Sequence, residues 1–427
     1  MTTTPDTAPQ SAFLNDMQAR GYIYQVTDMA GLDARAKALT TTPGALSAYV
    51  GYDATADSLH VGHMVSIMML RRLQQAGGRP IVLMGGGTTK IGDPTDKEKS
   101  RPMLTEAEIA ANIASIRTCF TRFLRFDDTP NEAIMVNNAD WLDKIGYIDF
   151  LREYGRHFTV NVMVKQDTVA RRLAAEQPYT FLEFNYALLQ AYDFLELNRR
   201  EGCALQMGGS DQWGNILNGV DLCRKIEGSQ VFGLTTPLMT TASGQKMGKT
   251  VGGAVWLNPD KLSPFDYWQF WRNTEDADVG RFLRLFTDYS LTEIAELEAL
   301  PGARINEAKV ALADACTTLL HGEEEATKAR AAAASVFAGG GSTEGLPTFE
   351  VTADELAGGL SLAAAFERAE MVASRGEARR LIQGGGLKLN GETLTDPNAT
   401  LTEAHFGTDA TARLSVGKKK HALLKRV

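Results

Sequence analysis

The stretch Asp57-Ser58-Leu59-His60-Val61-Gly62-His63 holds two histidines three residues apart. On a helix they share one face. Two polar residues at a helix start need no function at all. A metal reading lacks a third His, Cys or carboxylate at ligand spacing. A phosphate reading has more behind it. The stretch follows a strand-like run, Asp57 and Ser58 can cap the helix, and a helix N-terminus offers free N–H groups and a positive dipole end. Gly62 would let a nucleotide ring approach the backbone. Far downstream, Lys246-Met247-Gly248-Lys249-Thr250 sets two lysines and a hydroxyl in a Gly-flanked segment, fit to neutralise a triphosphate or simply to lie in solvent. Its Gly-Lys-Thr ending is shared with the P-loop. That motif needs a glycine where Ser243 stands and a helix where the strand-like VGGAVWL follows, so the P-loop is rejected.

These segments need a scaffold. SAYVGYD and RPIVLMGGG read as buried strands bounded by turn residues, and MVSIMMLRRLQQAGG between them has helical periodicity and a Gly-Gly stop. Strand–helix–strand at these lengths predicts a right-handed crossover and a parallel sheet. AIMVNN and CALQMGGSD supply candidates for further strands. Ligands of such sheets bind beyond the carboxyl ends of the strands, here GYDATADSLHVGH, GGGTTKIGDP and GGSDQWGN. The expected fold is α/β, with a Rossmann-like sheet domain over residues 1–260, including a short helical lead-in. Residues 261–340 are rich in helix formers and read as a helical domain. Residues 341–355 carry the Gly/Ser/Pro content of a linker. Residues 356–427 read as a small α+β module: a helix pair, a Gly turn, then short strands.

Composition fits this division. The chain has 427 residues, 44% hydrophobic and 22% charged, which is ordinary for about two or three globular domains. No apolar run approaches a membrane span, and the polar N-terminus lacks a signal-peptide pattern, so a cytoplasmic location is expected. The four cysteines (Cys119, Cys203, Cys223, Cys316) are widely spaced without a CxxC pair, as for reduced, packed thiols. Net charge is -8, yet the stretch from Arg368 to Val427 holds eleven Lys/Arg against six Asp/Glu. A basic tail on an acidic body points to one surface meant for a polyanion.

ATADSLHVGH resembles the HIGH motif of class I aminoacyl-tRNA synthetases, and KMGKT resembles their KMSKS loop, with Gly248 in place of the serine. YVGYDATADSLHVGH, FNYALLQAYDF and QMGGSDQWGN narrow the resemblance to the tyrosyl branch, and SRGEARRLIQGGGLKLNG is similar to an S4 RNA-binding domain. The likeness runs from about Gly21 onward. It implies an enzyme that activates L-tyrosine with ATP and Mg²⁺ to tyrosyl-adenylate and loads it onto tRNA(Tyr), as a homodimer. By resemblance Tyr49 and Asp193 meet the substrate hydroxyl, Asp93, Tyr186 and Gln190 its ammonium, and Gln212 its carboxylate. Tyr186, Gln190 and Asp193 stand at i, i+4 and i+7, one helix face, a spacing that ordinary packing also produces. Gly51, Asp53, His60, Gly62, His63, Gly209, Asp211 and Lys249 correspond to ATP contacts, with Asp211 at the ribose. Thr55, His60 and His63, with Lys97, Arg101, Lys246, Lys249 and Thr250 as mobile clamps, correspond to the groups that act on the phosphates. The implied chemistry is in-line attack of an already ionised carboxylate on the α-phosphorus, which needs positioning and charge stabilisation rather than a general base. No metal site built by the protein alone is expected, and Ser66 and Lys90 have no assigned role. On the tail, Arg375, Arg379, Arg380, Lys418, Lys419 and Lys420 are expected to grip RNA through phosphates and shape.

Two alternatives remain on sequence grounds. One is a tryptophanyl-type or small-molecule adenylyltransferase on the same scaffold, against which Tyr49 with Asp193 and the basic tail argue. The other is an RNA-binding protein that has lost catalysis, against which the full set of catalytic groups argues.

Overall fold

A computed structural model describes residues 8–95, 103–244, 247, 249–250, 253–337, 346–407, 410–417 and 420–427. These fall into two compact units, residues 1–258 with 275–305, and residues 259–274 with 306–427.

The first unit is built on a six-stranded sheet. Its strands are β1 (Gln25–Val26), β2 (Ser47–Tyr52), β3 (Arg79–Met84), β4 (Ile134–Asn137), β5 (Leu205–Gly209) and β6 (Phe232–Thr236), in the spatial order β1-β6-β5-β2-β3-β4. All neighbours run parallel except the edge strand β1, which pairs antiparallel with β6. β2 and β3 are buried along almost their whole length, as parallel strands covered on both faces must be. The Val61–Gln75 helix crosses between them, with Met64, Ile67, Met68, Met69, Leu70 and Leu73 fully buried. Apolar on almost every side, it is a core helix rather than a surface one. It ends where Gly77 takes a φ of +91°, a conformation side chains resist.

Strand order reverses between β2 and β5, so the carboxyl ends of β2, β3 and β5 open on a crevice. The Phe181–Glu201 helix starts at a Thr180/Glu183 capping box and ends on Gly202 in the left-handed region. Beneath it, Tyr49, Ile81, Leu83, Trp141, Leu188, Phe194, Leu195 and Leu222 share one apolar cluster.

The stretch after residue 260 does not stay together. Segment 275–305 belongs with the sheet unit, tied through Asp288 to Arg71 and Arg72 of the core helix. A run of helix formers cannot reveal this, because helix propensity carries no information about which neighbour a helix meets.

The second unit contains the Pro264–Arg272, Ile305–His321 and Glu323–Phe337 helices. Its sheet is made of β9 (Thr348–Val351), β10 (Leu387–Leu389), β11 (Glu392–Thr393), β12 (Thr411–Val416) and β13 (Lys420–Arg426), in the order β11-β10-β12-β13-β9. The Leu362–Arg368 and Arg375–Gln383 helices share its core through Leu362, Phe366, Ala378 and Ile382. β9 corrects the expected linker. Residues 348–351 pair parallel with β13, and the Ala353–Ala357 helix follows. Only residues 341–345 of that stretch lie outside the described residues. Two more residue pairs, β7 (Lys249–Thr250) and β8 (Gly253–Ala254), form a small antiparallel ribbon in the first unit.

Candidate active site

A cleft of about 600 Å³ opens at the carboxyl ends of β2, β3 and β5. Tyr49, Gly51, Asp53, Thr55, His60, Gly62 and His63 line it, with Asp93, Tyr186, Gln190, Asp193, Gly209, Asp211 and Gln212. The whole expected tyrosine set is therefore gathered in one place, with most of the expected ATP set. Lys97, Arg101, Lys246, Lys418 and Lys419 lie outside the described residues, and for Lys249 and Thr250 only the backbone, in β7, is described.

The floor is a buried polar chain. Asp193 is 2% exposed and accepts from Asn138 Nδ2 at 2.9 Å and Trp141 Nε1 at 2.8 Å. Asn138 also donates to Thr88 Oγ1 at 3.0 Å, and Thr88 donates to Asp53 at 2.8 Å. Burial pushes the Asp193 carboxyl up to about 7, against the downward pull of Asn138 and Trp141, with Asp53 and Glu196 adding to the rise. Opposite stands Tyr49, 1% exposed. Its hydroxyl is buried without a hydrogen-bond partner among the described residues, and burial and the nearby Asp193 charge push it well above the usual phenol range. An unpartnered buried hydroxyl beside a buried carboxylate is costly, and a ligand hydroxyl would relieve it.

The next tier is anionic. Gln212 Nε2 donates to Asp93 at 2.9 Å, and Gln190 Nε2 donates to Gln212 Oε1 at 3.2 Å. Gln190 Oε1 is buried without a hydrogen-bond partner among the described residues. The Tyr186 hydroxyl donates to Asp53 at 3.1 Å. Burial raises Tyr186 well above the usual phenol range, and the charges of Asp53, Asp93 and Asp193 add to the rise. Three carboxylates round one phenol suit a ligand cation.

At the start of the Val61–Gln75 helix the cap differs from expectation. His60, rather than Asp57 or Ser58, is the N-cap of the Val61–Gln75 helix. Its Nδ1 accepts from Gly62 N at 3.0 Å, and His63 Nδ1 accepts from His60 N at 3.2 Å. Ser58 instead bonds the Leu59 carbonyl and Asn258. With each Nδ1 accepting, the neutral rings carry their protons on Nε2 and can donate there. The side of Gly62 toward which a Cβ would point is taken by the protein itself, since a Cβ there would lie 2.7 Å from the His60 ring and 3.3 Å from the Met247 carbonyl, while Gly62 still lines the cleft. Met247 and residues 255–257 are therefore next to the helix start. Val61 N donates to Val255 O at 2.9 Å and Leu257 N to Leu59 O at 2.8 Å. Gly51 differs from Gly62, since a Cβ there would meet only Leu83 at 3.9 Å. It is the one exposed position of a buried strand.

Sequence reasoning missed Thr88, Asn138 and Trp141. Asn138 follows β4 directly, and the strand-end rule applied to β4 as well would have found it. The two unassigned residues now have partners. Ser66 donates to the His63 carbonyl at 2.8 Å and lies 3.0 Å from the Tyr52 hydroxyl. Lys90 is tied to Glu106 and Asp143, both at 2.9 Å. In the second unit Arg375, Arg379 and Arg380 are exposed on one short helix, Arg375 paired with Glu367 at 2.7 Å and Lys420 bonded to the Glu370 carbonyl.

Residues 41–338 match the family described as tRNA synthetases class I (W and Y), and residues 367–405 match the S4 domain. A tyrosine–tRNA ligase of Caulobacter vibrioides is 60% identical over 418 residues, 98% of each chain. One from Rhodospirillum rubrum is 56% identical over 419 residues, 98% of this chain and 99% of its own. Among solved structures, a C-terminally truncated mitochondrial tyrosyl-tRNA synthetase of Aspergillus nidulans superposes with a TM-score of 0.69 at 30% identity, covering 77% of this chain and 95% of its own.

Proposed function

From the premise that this chain belongs to the class I tyrosine–tRNA ligases, and so joins tyrosine to tRNA(Tyr) at the expense of ATP, we propose how its cleft is shared among the substrates. The side chain of L-tyrosine enters between Tyr49 and Asp193. Its phenol donates to the Asp193 carboxylate and accepts from Tyr49. The ammonium sits among Asp93, Tyr186 and Gln190, and Gln212 meets the carboxylate. ATP lies along Gly51, Asp53, Gly62 and Gly209, with Asp211 at the ribose and Thr55, His60 and His63 toward the phosphates. Lys97, Arg101, Lys246, Lys249 and Thr250 are proposed to close on the leaving pyrophosphate. Mg²⁺ is proposed to arrive on the triphosphate, whose oxygens and water supply most of its ligands.

The observation that carries the assignment is the partnerless Tyr49 hydroxyl beside buried Asp193. Recognition by a buried hydroxyl pair rejects phenylalanine because it leaves both groups unpaired, an effect for which tyrosyl enzymes are already the known illustration. ATP–pyrophosphate exchange with tyrosine, phenylalanine and tryptophan tests it. Asp193→Ala is expected to cripple exchange with tyrosine, and survival of both activity and Tyr-over-Phe selectivity overturns the pocket.

Three broader features are proposed with it. The sheet unit, residues 1–258 with 275–305, is proposed to carry catalysis, and the second unit to contact tRNA, its S4 region through Arg375, Arg379, Arg380 and Lys418 to Lys420. The enzyme acts as a homodimer. Tyr147, Ile148, Val160, Val162, Leu173, Phe181 and Leu182 are exposed apolar side chains within residues 147–182, and so many in one segment favour a second copy. No helix among the described residues is long and apolar enough to cross a membrane, and a cytoplasmic location is proposed.

A further inference from the structure

Trp141 is 5% exposed and does not line the cleft. Its one polar atom, Nε1, donates to Asp193 at 2.8 Å. Over the indole face lies the guanidinium of Arg200, 5.2 Å from the ring centroid. Arg200 comes from the last turn of the Phe181–Glu201 helix, the helix that carries Asp193. It is clamped in turn by Glu196, whose Oε2 lies 2.7 Å from both Nε and Nη2 of Arg200. Burial works to raise the Glu196 carboxyl, but hydrogen bonds from Arg200, Arg199 and Tyr192 outweigh it and hold the group low and charged. Arg199, the neighbour in sequence, is engaged elsewhere. It pairs with Glu196 at 3.1 Å and Glu227 at 2.7 Å and lies over Tyr154, not Trp141. Two adjacent arginines thus differ in one respect: only Arg200 lies on the ring that holds Asp193.

A cation on an indole face is attracted by the ring quadrupole and draws electron density toward itself. The indole N–H becomes a better donor, and its bond to a carboxylate is charge-assisted. We propose that Arg200 is a positioning residue for tyrosine recognition: anchored by Glu196, it holds and polarises Trp141 so that the indole N–H fixes the Asp193 carboxylate where the substrate phenol arrives. This rests on the assignment of Asp193 as the phenol's acceptor. The other groups facing Asp193 are Tyr49 and Asp53 from the β2 side, Asn138 after β4, and Tyr186 and Glu196 on its own helix. Of these only Glu196 is bonded to Arg200, and it keeps Arg199 as a partner when Arg200 is changed.

The test uses the full-length enzyme labelled with ¹⁵N at its indoles, the Trp141 resonance being assigned by its loss in Trp141→Phe. Arg200→Gln, Arg200→Lys and Arg199→Gln are compared by pH titration of that resonance and by ATP–pyrophosphate exchange. In Arg200→Gln the titration midpoint is expected to move up, and KM for tyrosine to rise about threefold with kcat held, the size of one partly exposed cation–π contact. Arg200→Lys should recover part of both effects, and Arg199→Gln should cause neither. If Arg200→Gln changes neither readout, or Arg199→Gln changes both equally, the proposal is overturned and Asp193 keeps its assigned role. If the Trp141 titration moves in Arg200→Gln alone while KM for tyrosine stays unchanged, the proposal falls together with the role of Asp193 on which it rests.

Discussion

The proposed roles of Asp193 and Tyr49 make a few buried atoms the basis of specificity. The carboxyl of Asp193 is pushed up to about 7 because burial opposes its charge, so near neutrality it is half protonated in the free enzyme. The charged form is the better acceptor for a phenol. As pH rises through about 7 the carboxylate accumulates, and kcat/KM for tyrosine is therefore expected to rise with the titration of one group, while kcat/KM for phenylalanine stays flat. Exchange kinetics over that pH window checks the sign, and a tyrosine profile that falls with pH contradicts it. Tyr49→Phe removes the other half of the recognition. It should cost tyrosine roughly 1–3 kcal/mol of transition-state binding and leave phenylalanine nearly unchanged, read from the ratio of kcat/KM values.

At the scale of elements, the Phe181–Glu201 helix presents Tyr186, Gln190 and Asp193 to the cleft, so whatever sets its first turn sets the slot. That turn is held by the capping box of Thr180 with Glu183 and by a buried ion pair, Glu183 with Arg172 at 2.8 Å, both side chains at 5% exposure or less. Glu183→Ala leaves Arg172 charged and buried. It is expected to destabilise the sheet unit by about 3–5 kcal/mol, measured as a shift of its urea transition. Replacing Arg172 by Met in that background should recover part of the loss, since the stranded charge is then gone. The Val61–Gln75 helix works differently. Its own histidines cap its N-terminus, so in the free protein the proposed phosphate end is preassembled around His60 and His63 rather than left as bare N–H groups.

For the whole molecule, tRNA charging and adenylate formation should separate. Removing residues 346–427, which takes the complete C-terminal sheet including β9, is expected to spare ATP–pyrophosphate exchange and weaken tyrosylation of tRNA. Equal loss of both steps would count against a separate RNA-binding module. Phe181, 67% exposed at the first position of the cleft helix, should lie in the subunit contact. Phe181→Glu is expected to shift sedimentation equilibrium toward monomer at micromolar protein, and an unchanged mass would place the contact elsewhere.

The sequence by itself was enough for the parallel sheet, the core helix and many of the residues of the cleft, though not for Thr88 or Asn138. Strand runs such as SAYVGY and RPIVLM and the helical period after His63 are local patterns, and the cleft residues named from the sequence lie in short motifs. What lay beyond it was decided by tertiary structure. Asn138 and Trp141 hold Asp193 from more than fifty residues away, Arg200 reaches Trp141 across the turn of a helix end, and residues 275–305 pack on the sheet unit through Asp288. β9 emerges from a stretch that reads as a linker because β13 offers it an edge. None of these has a local pattern, since each is chosen by which partner the folded chain brings within reach, and burial of a charge is a property of that assembled surrounding rather than of the residue that bears it.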